Sequence, residues 1–483
     1  MIARIDPGNH ELQRRCETWM ELCVLINRGF TALGWTRVLP FWLHFLLRNK
    51  VNQLYQLASY SVRDVQYAIF NCGYSIDELL KECPKAPEGP EPDPVLRRVK
   101  GVLNHPIGDY AVQPRVASFA AQGITMSHYM FGASYTVGNT QNISIRMSSL
   151  LREMGGNVLC DATVTEIILE KGRAVGLKVR STSAGVDGPV TEVRAKNIVC
   201  ATSVFNLYDH LLPKDHPSVQ EFYDPTKRTI KESNGHVFLF CKIKGDATEL
   251  QLPTHNLWYF NSYDVDDAFD KYYNDPVTHR PPTVYIGFPC TKDPTWPKRL
   301  PGISNCILIS DGLYDWFDLS WKQAKVHERG EDYEAFKNKL AKHLLEILYE
   351  SVPQTRGKVE YWTLGTPLTE VSYLGSYRAA SYGTKCDTNI FNELNSKWTT
   401  TPRTNIPGLY MAGSDAFLPA VCGAMYGGIL GALNILGYAG SLRMVVAFLS
   451  EFATALQEDD PKLSRPRAYY RATKKFVTEL VAN

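Results

Sequence analysis

The residues whose types and order could do chemistry sit together late in the chain, in GLYMAGSDAFLPAVCGAMYGGILGALNILG, residues 408–437. A short β-type run, Leu409 to Ala412, stops at Gly413; Ser414 and the carboxylate of Asp415 follow, and a glycine- and alanine-rich helical pattern begins near Cys422. A strand that ends on a small residue and feeds a helix N-terminus presents backbone N–H groups where an anion can be held. Gly423, Gly427, Gly428 and Gly431 leave part of that helix without side chains, so a flat ligand or another backbone can lie close against it. The layout suits a dinucleotide with Asp415 at the mouth of its site; the plainer role for Asp415 is a helix N-cap.

A membrane span competes for the same stretch, because the 27 residues from Ala416 to Leu442 carry no charge and Gly427 and Gly431 have small-xxx-small spacing. Pro419, Asn434 and the acid at the mouth argue against it, and a plain core helix is the third option. A buried, nucleotide-facing helix is preferred.

Other chemistries lack their residues. The 11 histidines contain no HExxH and the 11 cysteines no CxxC, so neither a zinc site nor a disulfide framework is expected. No GxSxG elbow occurs and no histidine neighbours Cys422 in sequence, so Cys422 is expected to be a packed thiol. With 52 basic and 50 acidic residues, net charge +2, nothing favours nucleic acid.

The elements that must position the glycine-rich stretch are spread along all 483 residues, enough for two or more domains. The polar N-terminus, MIARIDPGNHELQRR, does not read as a signal peptide. Residues 11–28 read as an amphipathic helix. FTALGWTRVLPFWLHFLLR (30–48) is either a membrane-interface segment, with Trp35, Phe41, Trp42, Phe45 and Leu46 rimmed by Arg37, Arg48 and Lys50, or two core helices broken at Pro40. Helical pattern returns over 52–82, and PKAPEGPEPDP (84–94), five prolines in eleven residues, is an exposed excursion. Ile143 to Met154 has helical spacing and stops at Gly155 and Gly156. Asn157 to Cys160 reads as a strand, Thr163 to Leu169 and Ala174 to Val179 as a hairpin, and Asn197 to Thr202 as a further strand. His236–Lys242, Leu257–Phe260, Val284–Phe288 and Ile307–Ser310 are strand-like, and Glu331–Ser351 is an amphipathic helix.

Together FNLYDHLLP (205–213), KDPTWPKR (292–299), GEDYEAFKNKL (330–340), GKVEYWTLGTPLT (357–369) and the 408–437 stretch resemble the flavin-dependent amine oxidase and phytoene desaturase superfamily, most closely its retinol saturase branch. The likeness runs from about residue 117 onward, in the family's order. It implies an FAD oxidoreductase that saturates one carbon–carbon double bond of a retinol-like polyene in association with the endoplasmic reticulum membrane, as a peripheral or monotopic protein. It also implies that Val164 lies under the adenine and that Gly413, Ser414, Asp415, Gly423, Ala424 and Met425 line the cofactor. Tyr382 is the candidate proton donor, and Arg378 the candidate stabiliser of negative charge. The chain departs from the family in three places. The GxGxxG of the first βα turn has no counterpart, since the glycines of the first 70 residues are Gly8, Gly29 and Gly34; the PRGxxYG-like turn reads YRAASYG at 377–383; and the proline-rich excursion is an insertion.

The expected architecture is an α/β, glutathione-reductase-like, Rossmann-type FAD domain without its N-terminal part, interleaved with a mixed-sheet α+β substrate domain. Its expected divisions are 1–124 (substrate and membrane side), 125–210 (FAD), 211–354 (substrate sheet and helix), 355–445 (FAD) and 446–483 (helical tail). No side chain donates hydride, which is why a flavin is invoked. The expected partners are a lipid-soluble polyene and a membrane surface, not nucleic acid, and a homodimer is left open. A carotenoid desaturase or isomerase, a non-catalytic remnant without flavin, and an incomplete gene model are the alternatives.

Overall fold

The structure is a computed structural model that describes residues 5–481 other than 131, 318 and 393. Its N-terminal third is helical: α1 (His10–Thr36), α2 (Arg48–Ala58), α3 (Val62–Phe70), α4 (Pro94–Leu103) and α5 (Phe119–Tyr129). Asn9 opens α1 by accepting the Leu12 amide at 2.9 Å. Buried Leu12, Cys16, Trp19, Leu22, Ile26, Phe30 and Leu33 then recur every three or four residues, one stripe facing the core. Trp19 meets Phe119 edge-on at 5.1 Å, and burying each such aromatic contributes about 2–3 kcal/mol.

Two expectations for this region change. The amphipathic helix does not stop at residue 28 but runs through Gly29 and Gly34, because Gly29 lies against Leu54, where a Cβ would stand 2.7 Å from the Leu54 Cβ. The helix ends at Thr36, and after Pro40 a short 3-10 segment follows (Phe41–Leu46) in which no residue is buried. Arg37 is not part of a basic rim: its Nε donates to the Thr400 carbonyl at 2.9 Å.

α6 (Gln141–Glu153) forms where expected, yet buries none of its residues. Asn157 to Cys160 is not a strand. β1 (Ala162–Glu170), β2 (Arg173–Ser181) and β3 (Val190–Arg194) make an antiparallel sheet, its third strand unforeseen. β4 (Ile198–Cys200) pairs in parallel with β10 (Leu409–Met411) although more than 200 residues separate them. Parallel pairing of this kind belongs to sheets covered on both faces by helices, the α/β class.

A five-stranded sheet holds β5 (Gly235–Lys244), β6 (Leu257–Phe260), β7 (Thr283–Gly287), β8 (Ile303–Gly312) and β9 (Val359–Gly365) in the order β6-β7-β8-β5-β9. A mixed sheet was expected; all four pairings are antiparallel. α7 (Val265–Asn274) joins β6 to β7, and α8 (Glu331–Ser351) covers one sheet face with Leu340, Leu344, Ile347 and Leu348. α9 (Pro367–Leu374) follows β9, and the turn 377–383 leads toward β10.

α10 (Ala420–Asp459) leaves the parallel pair and kinks at Gly437, φ 66°. Its second arm packs on α11 (Arg465–Val481) through Leu449, Ala453, Leu463, Ala468 and Ala472. Among the described residues α10 is the one helix long and apolar enough to cross a membrane, and 28% of its most apolar window is buried.

Candidate functional site

β10 delivers the chain to Gly413, whose φ of 78° turns it sharply inward. The turn places Asp415 in the interior rather than at an open mouth. Its Oδ2 accepts the Val204 amide at 2.8 Å, its Oδ1 the Thr384 amide at 2.9 Å and the Thr384 hydroxyl at 2.7 Å, and Ser203 adds a side-chain hydrogen bond. Burial raises the pKa of this carboxyl, and the hydrogen bonds oppose that shift. Asp415 is thus a cap, but for the short helical turn that begins at Val204, not for α10. The capping side chain comes from far along the chain, beyond the reach of local spacing.

The glycines are spent on close packing within the protein. A Cβ on Gly427 would stand 2.2 Å from the Gly413 carbonyl oxygen, and one on Gly431 would stand 3.0 Å from that of Met411. α10 therefore lies on the backbone of β10 and the turn after it, where a flat ligand was expected. Gly423 is buried, Ala424 half-buried and Met425 exposed. The cavity bounded by Tyr382, Thr384, Thr400, Ser414, Asp415 and Phe417 has a volume of about 10 Å³, room for one water at most. The cavity beside Asp415 does not fit FAD: the carboxylate is already satisfied, and the space next to it is closed.

The other expected residues scatter. Val164 is half-buried in β1 opposite Val179 and does not line the cavity. The Tyr382 ring does, but its hydroxyl donates to the Gly108 carbonyl at 2.8 Å, and burial holds its pKa far above the usual phenol value. Arg378, at φ 46°, turns away from the cavity to pair with Glu232 at 2.8 Å and Asp315 at 2.7 Å. These two carboxylates hold its guanidinium there. The fold also supplies the histidine that the sequence lacked beside Cys422: His128 Nε2 lies 3.9 Å from its Sγ, at the surface.

Two features were not singled out from the sequence. One is the sheet face opposite α8, where alternation sets Trp258, Tyr285, Ile307, Ile309, Phe238 and Phe240 side by side across four strands. All are half-buried except Phe240, which is exposed; Trp258 meets Tyr285 at 5.3 Å and Phe238 stacks on Phe240 at 6.5 Å. The other is a buried polar cluster at the end of that face, where His236, Asp311, Glu370 and Ser381 meet beside Tyr382. An imidazole at the start of an otherwise apolar strand was the available signal.

No family model matches the sequence. An all-trans-retinol 13,14-reductase from Macaca fascicularis is 31% identical over 69% of this chain and 54% of its own length. The Rattus norvegicus protein of that name is 29% identical over 86% and 64%, and an inactive all-trans-retinol 13,14-reductase from Danio rerio is 27% identical over 67% and 53%. A prolycopene isomerase from Daucus carota is 23% identical over 59% of the chain and 41% of its own length. Solved structures are more distant: an oxidoreductase from Methanosarcina mazei is 14% identical over 69% of this chain and 64% of that one, with a TM-score of 0.39. The chain spans between about half and two thirds of the length of the retinol reductases it matches. It is a homologue of the all-trans-retinol 13,14-reductases and, more distantly, of prolycopene isomerase.

Proposed function

We propose that this chain binds a retinoid-like polyene along the face of its five-stranded sheet opposite α8 and serves an oxidoreductase that saturates one carbon–carbon double bond of that polyene. The observation that carries the reading is the row of Trp258, Tyr285, Ile309, Ile307, Phe238 and Phe240. Four strands about 4.8 Å apart extend this row over about 15 Å; Gly108 packs on its Trp258 end, and the Phe238–Phe240 end is the more open apolar surface for an extended conjugated chain. The names of the homologues point to the same substrate class.

Saturation needs a hydride and a proton, and no side chain gives hydride. FAD is the group implied by the resemblance, with Val164, Gly413, Ser414, Asp415, Gly423, Ala424 and Met425 as its proposed neighbours. Because the cavity beside Asp415 leaves it no room, no step is assigned to it. What the residues of this chain do is hold the polyene, exclude water along an aromatic wall and present Tyr382 at its polar end.

The substrate would arrive from a membrane, of the endoplasmic reticulum in this reading. Phe41, Trp42, Phe45 and Leu46 are 85%, 71%, 68% and 62% exposed, a cluster suited to the lipid interface, with Arg48 beside it.

A non-catalytic chain is the second reading, favoured by the closed cavity at Asp415; a carotenoid desaturase or isomerase would use the same sheet face. The deciding experiment incubates the purified chain with FAD, a chemical reductant and either all-trans-retinol or a carotene, and follows the products by chromatography and mass spectrometry. Retinol gaining two hydrogens supports the first reading. Retinol that binds, quenching tryptophan fluorescence, but is recovered unchanged supports the second. Absence of binding overturns the first reading.

A further inference from the structure

Beneath the turn that carries Tyr382, four buried side chains from separate segments form one hydrogen-bonded line. Glu370, on α9, accepts the Ser381 hydroxyl on Oε1 at 2.8 Å and the His236 amide on Oε2 at 3.2 Å. The same hydroxyl lies 2.7 Å from Nδ1 of His236, at the start of β5. On the far side of the ring, Nε2 faces Oδ1 of Asp311, on β8, at 3.7 Å. Asp311 is held in turn by the Tyr273 hydroxyl, which also accepts from Asn234 at 2.9 Å, while the Tyr272 hydroxyl donates to the Asp311 carbonyl at 3.1 Å. Glu370, His236 and Asp311 are 6%, 3% and 2% exposed. Tyr382 closes the group with its ring edge-on to His236, centroids 5.3 Å apart.

Ser381 has one proton to donate and two acceptors within reach, so the line has two arrangements. In one, the Glu370 carboxylic acid donates to Ser381 Oγ, Ser381 donates to His236 Nδ1, and the neutral imidazole keeps its proton on Nε2, toward Asp311. In the other, the acid proton has passed to Ser381 as the Ser381 proton passed to Nδ1. This leaves a Glu370 carboxylate and an imidazolium between two carboxylates. The cluster carries one negative charge in both.

We propose that Glu370, Ser381 and His236 form a buried proton relay that stores one proton beneath the turn bearing Tyr382 and positions that turn for the reduction proposed above. The inference rests on that reading for its role, but not for its existence. The resting proton belongs on Glu370: burial raises this carboxyl to about 7 and lowers His236, each disfavouring its charged form. None of the three touches a reacting atom, so they are positioning residues. The connection to Tyr382 runs through the backbone: Ser381 N donates to the Asn234 carbonyl at 3.2 Å, and Tyr382 N to the Ser233 hydroxyl at 2.9 Å.

The test uses the full chain and needs no turnover. Infrared spectra of wild type and Glu370→Gln at about pH 5, below the folded Glu370 value of about 7, should differ by one buried carboxylic-acid carbonyl band, and nitrogen NMR should find His236 neutral with its proton on Nε2. Because the folded pKa of Glu370 lies above its unfolded value, the acid favours the native state most below about pH 4.3. That advantage fades as pH rises through about 7, so the thermal midpoint of wild type should fall relative to Glu370→Gln over the same range. Ser381→Ala should shift the His236 Nδ1 resonance by removing its hydrogen-bond partner, while Asp311 keeps the proton on Nε2. If Glu370→Gln does not fold, carboxyl-carbon NMR of wild type reads the Glu370 titration directly. An ionised Glu370 at about pH 5, below its folded value of about 7, or an imidazolium at His236, would overturn the relay. If the spectra hold but no retinoid is reduced, the relay stands and only its proposed role in reduction falls.

Discussion

A Cβ placed on Gly383 would stand 2.3 Å from Oδ1 of Asp415, so the YRAASYG turn and the acid after β10 are fitted to each other, residue against residue. Gly383 also needs its φ of 67°. Gly383→Ala should therefore cost about 2–4 kcal/mol, from left-handed strain and overpacking together. A urea denaturation midpoint equal to wild type would show that the two segments are not joined in solution.

Asp415 itself makes a sharper distinction. Were it a ligand-facing acid, Asp415→Asn would leave stability nearly unchanged. As the acceptor for Val204, Thr384 and Ser203, it should lose about 1–3 kcal/mol when an amide N–H₂ is turned against one of those donors. The denaturation midpoint reads the difference.

Adjacent glycines of α10 should respond with opposite sign. Gly427→Ala drives a methyl into the Gly413 carbonyl, whereas a Cβ on Gly428 meets nothing within 4 Å. The first substitution should destabilise by about 1–3 kcal/mol and the second should stabilise by up to about 1 kcal/mol through helix propensity. Thermal melts of the two variants, side by side, check the packing of α10 on β10.

Asp109 offers a pH dependence separate from the relay. Half-buried, it accepts the Tyr129 hydroxyl at 2.9 Å, and burial raises its carboxyl to about 6. With the folded value above the unfolded one, its contribution to stability is full below about pH 4 and is lost as pH rises through about 6. Relative to Asp109→Asn, wild type should lose about 1 kcal/mol between about pH 4 and pH 7, after allowance for solvent screening. Parallel urea titrations of both proteins would expose a gap that fails to change, or changes the other way.

Trp42 and Phe45 project from a turn that buries nothing. Replacing both with serine should leave the thermal midpoint in place and lower partition onto lipid vesicles about tenfold or more, given the apolar area each would insert. Vesicle co-sedimentation at matched protein concentration measures this, and unchanged partition would move the lipid-binding surface elsewhere.

Local pattern alone was enough for Glu331–Ser351, for the hairpin across Lys171 and Gly172, and for four strands of the large sheet, because helix and strand periods are written in neighbouring residues. The motifs also identified the homologues, since a run such as KDPTW keeps its order whatever it packs against. Pairing partners were another matter. That Ile198–Cys200 lies beside Leu409–Met411, that β9 completes the sheet, or that α1 continues past Gly29 depends on which distant segment fills the adjoining space.

The candidate site divides the same way. Sequence by itself determined that a strand, a glycine, an acid and a small-residue helix follow one another, because covalent order is all such a motif requires. Only the tertiary structure decided what they face. Asp415 could serve a ligand or the chain's own amides, and the amides of Val204 and Thr384 arrive first. The glycines could admit a flat ring or a backbone, and the backbone of Gly413 and Met411 occupies the space. The cluster of His236, Asp311, Glu370 and Ser381 exists solely because two strands, a helix and a turn converge. Hydrogen bonding between side chains acts over about 3 Å of space, and distance along the chain does not encode that separation.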